Sequence, residues 1–226
     1  MLYIVGLGAG DEDQLPYGVI KKLREGLPLY LRTDQHPMVS FLEENAIAYT
    51  SFDKVYERKD TFEEVYEEII AMMKEESKDK DIIYAVPGHP CVAEYAVKRM
   101  MAECPCMIVG GQSFLDAMFT SLRIDPIDGV QIMDALAFDI HKVANHVNLI
   151  IPQVFDQLSA SNVKMELMER YPDEYSICVV EAAGSERENL RWMPLYALDQ
   201  DFTLSNLTTV FVPHEDRLLE IDETEW

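Results

Sequence analysis

Positive charge is scarce in this 226-residue chain: 19 lysines and arginines face 41 aspartates and glutamates, leaving a formal charge of −22. Such a surface repels phosphate backbones and anionic lipid, so nucleic acid and membrane are excluded as expected partners. No apolar run reaches the roughly 18 residues that a membrane-spanning helix needs. The opening MLYIVGLGAG has neither the basic start nor the cleavage site of a secretory leader, and the expected location is cytoplasmic. Cysteine is also sparse. Of Cys91, Cys104, Cys106 and Cys178, only Cys104-Pro105-Cys106 is a close pair, and it lacks C-x-x-C spacing, so free thiols are expected. The five histidines are scattered without the H-E-x-x-H spacing that places two imidazoles on one helix face, and no metal is expected.

What is present is an α/β rhythm. Leu2 to Gly6, Leu29 to Leu31, Ile82 to Val86 and Met107 to Gly110 read as strands, and Leu15 to Leu27, Met38 to Glu44, Thr61 to Lys74 and Cys91 to Met101 as helices. Thr61 with Glu64 three residues on forms a capping-box start. Alternation of this kind predicts a mainly parallel sheet flanked by helices. Beyond it, apolar runs at Val147 to Ile151, Ile177 to Glu181 and Thr208 to Val212 surround one clear helix, Asp156 to Arg170, which suits a mixed-sheet α/β domain. The expected domains are residues 1–112 and 113–226. Glu63, Glu64, Glu67, Glu68, Glu76 and Asp79 look like a cation cluster, but Phe62, Val65, Tyr66, Ile69, Ile70 and Met73 take the apolar stripe of that helix. The carboxylates therefore belong to its solvated face.

Four loops follow the strands of the first half. Gly6-Leu7-Gly8-Ala9-Gly10-Asp11 lets the backbone turn sharply toward a ligand, yet Asp11 stands where a dinucleotide fingerprint needs its third glycine. No G-K-[ST] follows, which excludes a P-loop phosphate cradle. Val86-Pro87-Gly88-His89-Pro90 is a stiff loop whose His89 can orient a ligand or move a proton, or can simply be satisfied by neighbouring backbone. Ser113 in Gly110-Gly111-Gln112-Ser113 is placed to cap a helix. Arg32 and His36, in Leu31-Arg32-Thr33-Asp34-Gln35-His36-Pro37, are rare cationic groups at the same sheet edge. They can line the acceptor side of a site; alternatively Arg32 caps a helix or pairs with Asp34.

LYIVGLGAGD, YAVPGHPCVAE and IVGGQSFLDA, in that order, resemble the motifs of the tetrapyrrole methylases, a family that includes diphthine synthase and a ribosomal RNA ribose methyltransferase. LRTDQHP and FDKVYERKDTFEEVY resemble the branch in which this domain precedes a MazG-type nucleotide pyrophosphohydrolase. The resemblance implies two α/β domains, a homodimer, and S-adenosylmethionine held in the cleft between the domains. Carried over residue by residue, it places cofactor contacts at Gly8, Ala9 and Gly10, at Pro87, Gly88, His89 and Val92, at Ser113 and Phe114, and in the second half at Gln153, Ala182 and Pro194. Many relatives carry Asp where this chain has His89, and Gln112 and Phe114 replace smaller residues. The activity implied is methyl transfer to a small-molecule acceptor, with no assigned catalytic residue. A non-catalytic module attached to a pyrophosphohydrolase is the alternative, and a nicotinamide oxidoreductase is disfavoured by Asp11.

Overall fold

A computed structural model of the chain describes residues 1–10, 12–200 and 203–214. It divides into two units, Met1–Ala117 and Met118–Trp226. The division falls inside the helix Phe114–Ser121.

In the first unit β1 (Leu2–Gly6), β2 (Leu29–Leu31), β3 (Tyr49–Ser51), β4 (Ile82–Val86) and β5 (Cys106–Val109) form one sheet in the order β3-β2-β4-β1-β5, every pair parallel. Helices α1 (Tyr17–Leu23) and α2 (Met38–Glu44) cover one face; α3 (Asp53–Arg58), α4 (Phe62–Glu76) and α5 (Tyr95–Glu103) cover the other. Strand β4 shows why its sequence is an unbroken apolar run. Ile82, Tyr84 and Val86 join the core under α4 and α5, Ile83 and Ala85 join the opposite one, and all five residues are buried.

The Thr61 hydroxyl caps α4 by accepting from the Glu64 amide at 3.3 Å. Val65, Ile69, Ile70 and Met73 are buried as its stripe requires. Phe62 is not: it lies in the first turn, stacks on Tyr66 at 6.2 Å and remains 69% exposed. The glutamates of this helix face solvent in ion pairs, Glu67 with Arg99 at 2.8 Å and Glu68 with Lys59 at 3.4 Å. Helix α5 starts four residues later than its apolar pattern suggests, because Ala93 has φ 56°, a left-handed conformation that no right-handed helix can contain.

After α6 (Phe114–Ser121), the second unit is built on β6 (Val130–Ile132), β7 (Asn148–Pro152), β8 (Ser176–Glu181), β9 (Asn189–Pro194) and β10 (Thr208–Val212), in the order β6-β7-β10-β8-β9. Strand β6 runs parallel to β7, while β10 is antiparallel to both of its neighbours and β9 to β8, a mixed sheet. Helix α7 (Gln157–Met168) packs Ala160, Val163 and Leu167 against it. Asp156 starts α7 with a reciprocal cap, accepting from the Ser159 amide at 2.7 Å while Ser159 Oγ accepts from the Asp156 amide at 3.1 Å. Strand β9 escapes the periodicity argument because it is an edge strand, half-buried along most of its length, with no clean alternation. No helix among the described residues is long and apolar enough to cross a membrane.

Candidate functional site

A parallel sheet delivers all its carboxyl ends to one edge, so the loops after β1, β2, β4 and β5 must meet there. They meet through their backbones. The Leu7 amide donates to the Val86 carbonyl at 2.8 Å, the Gly8 amide to the Gly88 carbonyl at 3.1 Å, and the Gly88 amide back to the Gly8 carbonyl at 2.7 Å. This two-way bridge needs Gly8 at φ 72° and Gly88 at φ 64°.

The tightest approach is elsewhere. A Cβ on Gly6 would lie 2.5 Å from the Gly88 carbonyl oxygen and 2.8 Å from Pro90 Cδ, and one on Gly111 would lie 2.7 Å from Gly6 backbone atoms. A Cβ on Gly8 would meet Leu15 Cδ2 at 3.4 Å and the Gln112 carbonyl oxygen at 3.9 Å. Its constraint is the sign of φ rather than space. Ala9 and Gly10 continue this loop, and Asp11 lies outside the described residues.

His36 ties the second loop to this junction. Its Nδ1 accepts from the Met38 amide at 3.2 Å, so in the neutral ring Nε2 carries the proton and donates to the Gly8 carbonyl at 3.0 Å. Both nitrogens are therefore committed to the protein. Burial lowers the His36 pKa, and the Gly8 carbonyl opposes that only in part. Between the ordinary histidine value of 6.5 and the lower folded value, the unfolded chain binds more protons than the fold does. Stability should thus be complete above that window and decline as pH falls through it. Thermal melts from about pH 8 to about pH 5 should show this decline in the parent and a flatter profile in His36→Gln.

Arg32 is equally engaged. Its Nη1 donates to Glu94 at 2.6 Å and its Nε to the Tyr56 hydroxyl at 3.2 Å, so Glu94 and Tyr56 rather than Asp34 are its partners. Burial works against the charged guanidinium, but the Glu94 carboxylate and Tyr56 oxygen outweigh it and the Arg32 pKa rises. Burial also raises the Glu94 pKa, with Arg32 opposing. Beside them the Tyr84 hydroxyl is buried with no hydrogen-bond partner among the described residues, and burial followed by the nearby Glu94 charge raises its pKa well above the usual phenol. Glu94 and Tyr56 are site residues that sequence reasoning did not single out. Glu94 closes the motif YAVPGHPCVAE, but only the fold reveals its contact with Arg32, 62 positions away.

In the β4 loop, His89 Nδ1 accepts from the Cys91 amide at 3.1 Å and the Val92 amide donates to the His89 carbonyl at 2.9 Å. The His89 Nε2 edge faces Gly110, whose added Cβ would lie 3.7 Å away. With Nδ1 accepting, the neutral ring presents Nε2–H as a donor. Pro87 and Gly88 complete this half-buried loop. Ser113 starts α6: its hydroxyl accepts from the Leu115 amide at 3.2 Å and donates to Asp116 at 3.0 Å, leaving it a capping role, and Phe114 is the first helical residue. An open crevice of about 560 Å³ lies beside this junction, lined by Asp13, Gln14, Leu15, Gly111, Gln112 and Asp116 among others. Gln112 Oε1 is buried there without a hydrogen-bond partner among the described residues.

Within the second unit, Gln153 and Ala182 stand just beyond the ends of β7 and β8, at one edge of the sheet beside the start of β10. Both are non-glycine residues in the left-handed region, φ 67° and 49°, a conformation that costs about 1 kcal/mol each. Glu181, the last residue of β8, accepts from the Thr208 hydroxyl at 2.5 Å and from the Ser205 hydroxyl. Pro194 is not brought to this edge. It pairs with Ser176 at the opposite end of β8, about 17 Å along the strand.

The sequence profile described as Tetrapyrrole (Corrin/Porphyrin) Methylases matches residues 1–199. In Bacillus subtilis (strain 168), the uncharacterized protein YabN is 45% identical over 223 residues, which is 96% of this chain and 46% of that protein. The chain therefore spans about half the length of this curated relative. Among solved structures, uroporphyrin-III C-methyltransferase from Thermus thermophilus, complexed with S-adenyl homocysteine, superposes with TM-score 0.68 at 14% identity, over 98% of this chain and 96% of that one. Diphthine synthase gives 0.67 at 16%, over 95% and 90%. Precorrin-6Y methylase from Archaeoglobus fulgidus gives 0.66 at 19%, over 95% and 98%. At such identities the likeness is one of fold.

Proposed function

The chain belongs to the tetrapyrrole methylase family, and from that premise we propose that it is an S-adenosylmethionine-dependent methyltransferase acting on a small molecule. The observation that carries the proposal is the junction of Gly6, Gly88 and Gly111, where backbone replaces side chain beside an open crevice edged by Asp13 and Asp116. Carboxylates at a glycine loop disfavour a pyrophosphate and favour a cation. S-adenosylmethionine brings a sulfonium and an ammonium, which suits that edge. Gly8, Ala9, Gly10, Gly88, His89 and Gly111 would hold it. Where relatives place an Asp acceptor, the His89 Nε2–H is a donor, which fits the carboxylate end of the methionine group rather than its ammonium.

When bound, the cofactor supplies an electrophilic methyl group, and the protein's share is to align the acceptor and exclude water. His36 performs such positioning at one remove, by fixing the Gly8 carbonyl. A silent binding module remains a second reading, favoured by the internal commitment of both Arg32 and His36, the two residues first suggested for an acceptor. We also propose a homodimer, and a MazG-type pyrophosphohydrolase as a partner, on the resemblance of LRTDQHP and FDKVYERKDTFEEVY to the fused branch.

Calorimetry with S-adenosylmethionine and S-adenosylhomocysteine is the direct test. Micromolar binding of both is expected, with His89→Ala weakening each by about tenfold, or about 1.4 kcal/mol. Binding without methyl transfer to any component of a metabolite extract would support the silent module, and absence of binding would remove the methyltransferase reading.

A further inference from the structure

Gln112 lines the crevice beside the glycine junction, together with Asp13, Gln14, Leu15, Gly111 and Asp116, and all of these belong to the first unit. Its Oε1 is buried without a hydrogen-bond partner among the described residues. An acceptor shut away from water and given no donor costs the fold the desolvation of that oxygen, so its presence calls for an explanation. Asp116 on the same crevice is placed differently. It accepts from the Ser113 amide at 2.7 Å and from the Ser113 hydroxyl at 3.0 Å, within the cap of α6.

Packing does not account for the residue type. Glycines set the backbone of this segment, with Gly111 pressed against Gly6, and a methionine would fill the volume of the Gln112 side chain without stranding an oxygen. The neighbouring chemistry points to a ligand instead. The Nε2 edge of His89 faces Gly110, two residues before Gln112, and two residues of chain span at most about 7 Å. A donor, His89 Nε2–H, and an acceptor, Gln112 Oε1, are thus carried beside the same short stretch of backbone.

We infer that Gln112 binds the α-ammonium of the cofactor's methionine group, while His89 takes the carboxylate of the same group. This assignment rests on the site being that of S-adenosylmethionine, and it adds the residue that holds the amino-acid end. A primary ammonium offers three N–H donors and no acceptor, which matches an unpaired amide oxygen on a crevice edged by carboxylates. As the amide turns toward the crevice, its oxygen gains a charge-assisted hydrogen bond and its nitrogen meets solvent. The same oxygen contributes nothing to the fold by itself, so recognition and stability pull in opposite directions at this position.

The test is calorimetry of the chain and two variants with S-adenosylhomocysteine and with methylthioadenosine, which keeps the adenosine and the thioether and lacks the amino acid. Gln112→Met should weaken S-adenosylhomocysteine about tenfold or more and leave methylthioadenosine within about twofold. Gln112→Glu, which restores an acceptor, should bind S-adenosylhomocysteine within about threefold of the parent. In urea without ligand, Gln112→Met should unfold at a midpoint no lower than the parent's, because it removes an unpaired polar atom and keeps the shape. The assignment is overturned if Gln112→Met binds S-adenosylhomocysteine as the parent does, if it loses methylthioadenosine equally, or if Gln112→Glu is no better than Gln112→Met. It is also overturned if Gln112→Met fails to fold or unfolds at lower urea, which would mark a packing role. Any of these in a parent that binds both compounds removes Gln112 alone, whereas a parent that binds neither removes the S-adenosylmethionine reading with it.

Discussion

Replacing Gly6 or Gly111 by alanine should destabilise the protein by at least about 3 kcal/mol, more than alanine at any other glycine of these loops. The added methyl of Gly6→Ala would stand 2.5 Å from the Gly88 carbonyl oxygen, and that of Gly111→Ala 2.7 Å from the Gly6 carbonyl carbon, Cα and oxygen. Each of these contacts is with backbone in the junction of three loops, so no side chain can swing aside. The contrast is Gly88→Ala, whose methyl would have nothing within 4 Å and whose only difficulty is φ 64°, a strain of about 1 kcal/mol. Urea unfolding of the three variants separates the two causes. The order expected is Gly6 and Gly111 far below Gly88, and equal midpoints would show that the loops part more easily than their contacts imply.

The second large effect belongs to Arg32 and Glu94. Removing one partner leaves the other charge buried, and Glu94 is the deeper of the two, with 6% of its side chain exposed against 31% for Arg32. Arg32→Met should therefore cost about 3 kcal/mol at neutral pH, the lower end for a broken buried pair because Arg32 reaches solvent. The cost has a sign in pH. Burial already raises the Glu94 pKa and only Arg32 opposes it. Without Arg32 the folded value climbs further above the unfolded one, so Glu94 is held neutral in the fold and the variant regains stability as pH falls toward the ordinary carboxyl range. Denaturant titrations of Arg32→Met at about pH 7 and about pH 5 should converge on the parent at the lower pH. The double variant Arg32→Met with Glu94→Met should recover most of the loss at neutral pH. An undiminished loss in the double variant would mean that packing, not charge, holds Arg32.

The α/β alternation, the full burial of β4 and the caps at Thr61 and Asp156 were legible from residue order, because each depends on neighbours within a few positions. Ile82 to Val86 is apolar throughout since both faces of a parallel strand are covered, and Asp156 caps the helix that begins at the next residue. The three glycine loops were legible for the same reason, as was their convergence, since a parallel sheet sends every carboxyl end to one edge. What short-range order could not reveal was which atoms meet there. The crowded glycines are Gly6 and Gly111; the partner of Arg32 is Glu94 rather than Asp34; Phe62 leaves the apolar stripe that includes it.

Sequence by itself determined most of the longer elements, the α/β alternation, the acidic charge and the glycine chemistry of the loops, because propensity, periodicity and charge are properties of single residues and short windows. Tertiary structure alone decided the bridge between Gly8 and Gly88, the enclosure of His36 and the Arg32–Glu94 pair. Each of these joins residues separated by 28 to 80 positions, and no local preference encodes such a contact. Strand order and register set it, since moving a strand by one residue turns every side chain on it to the opposite face.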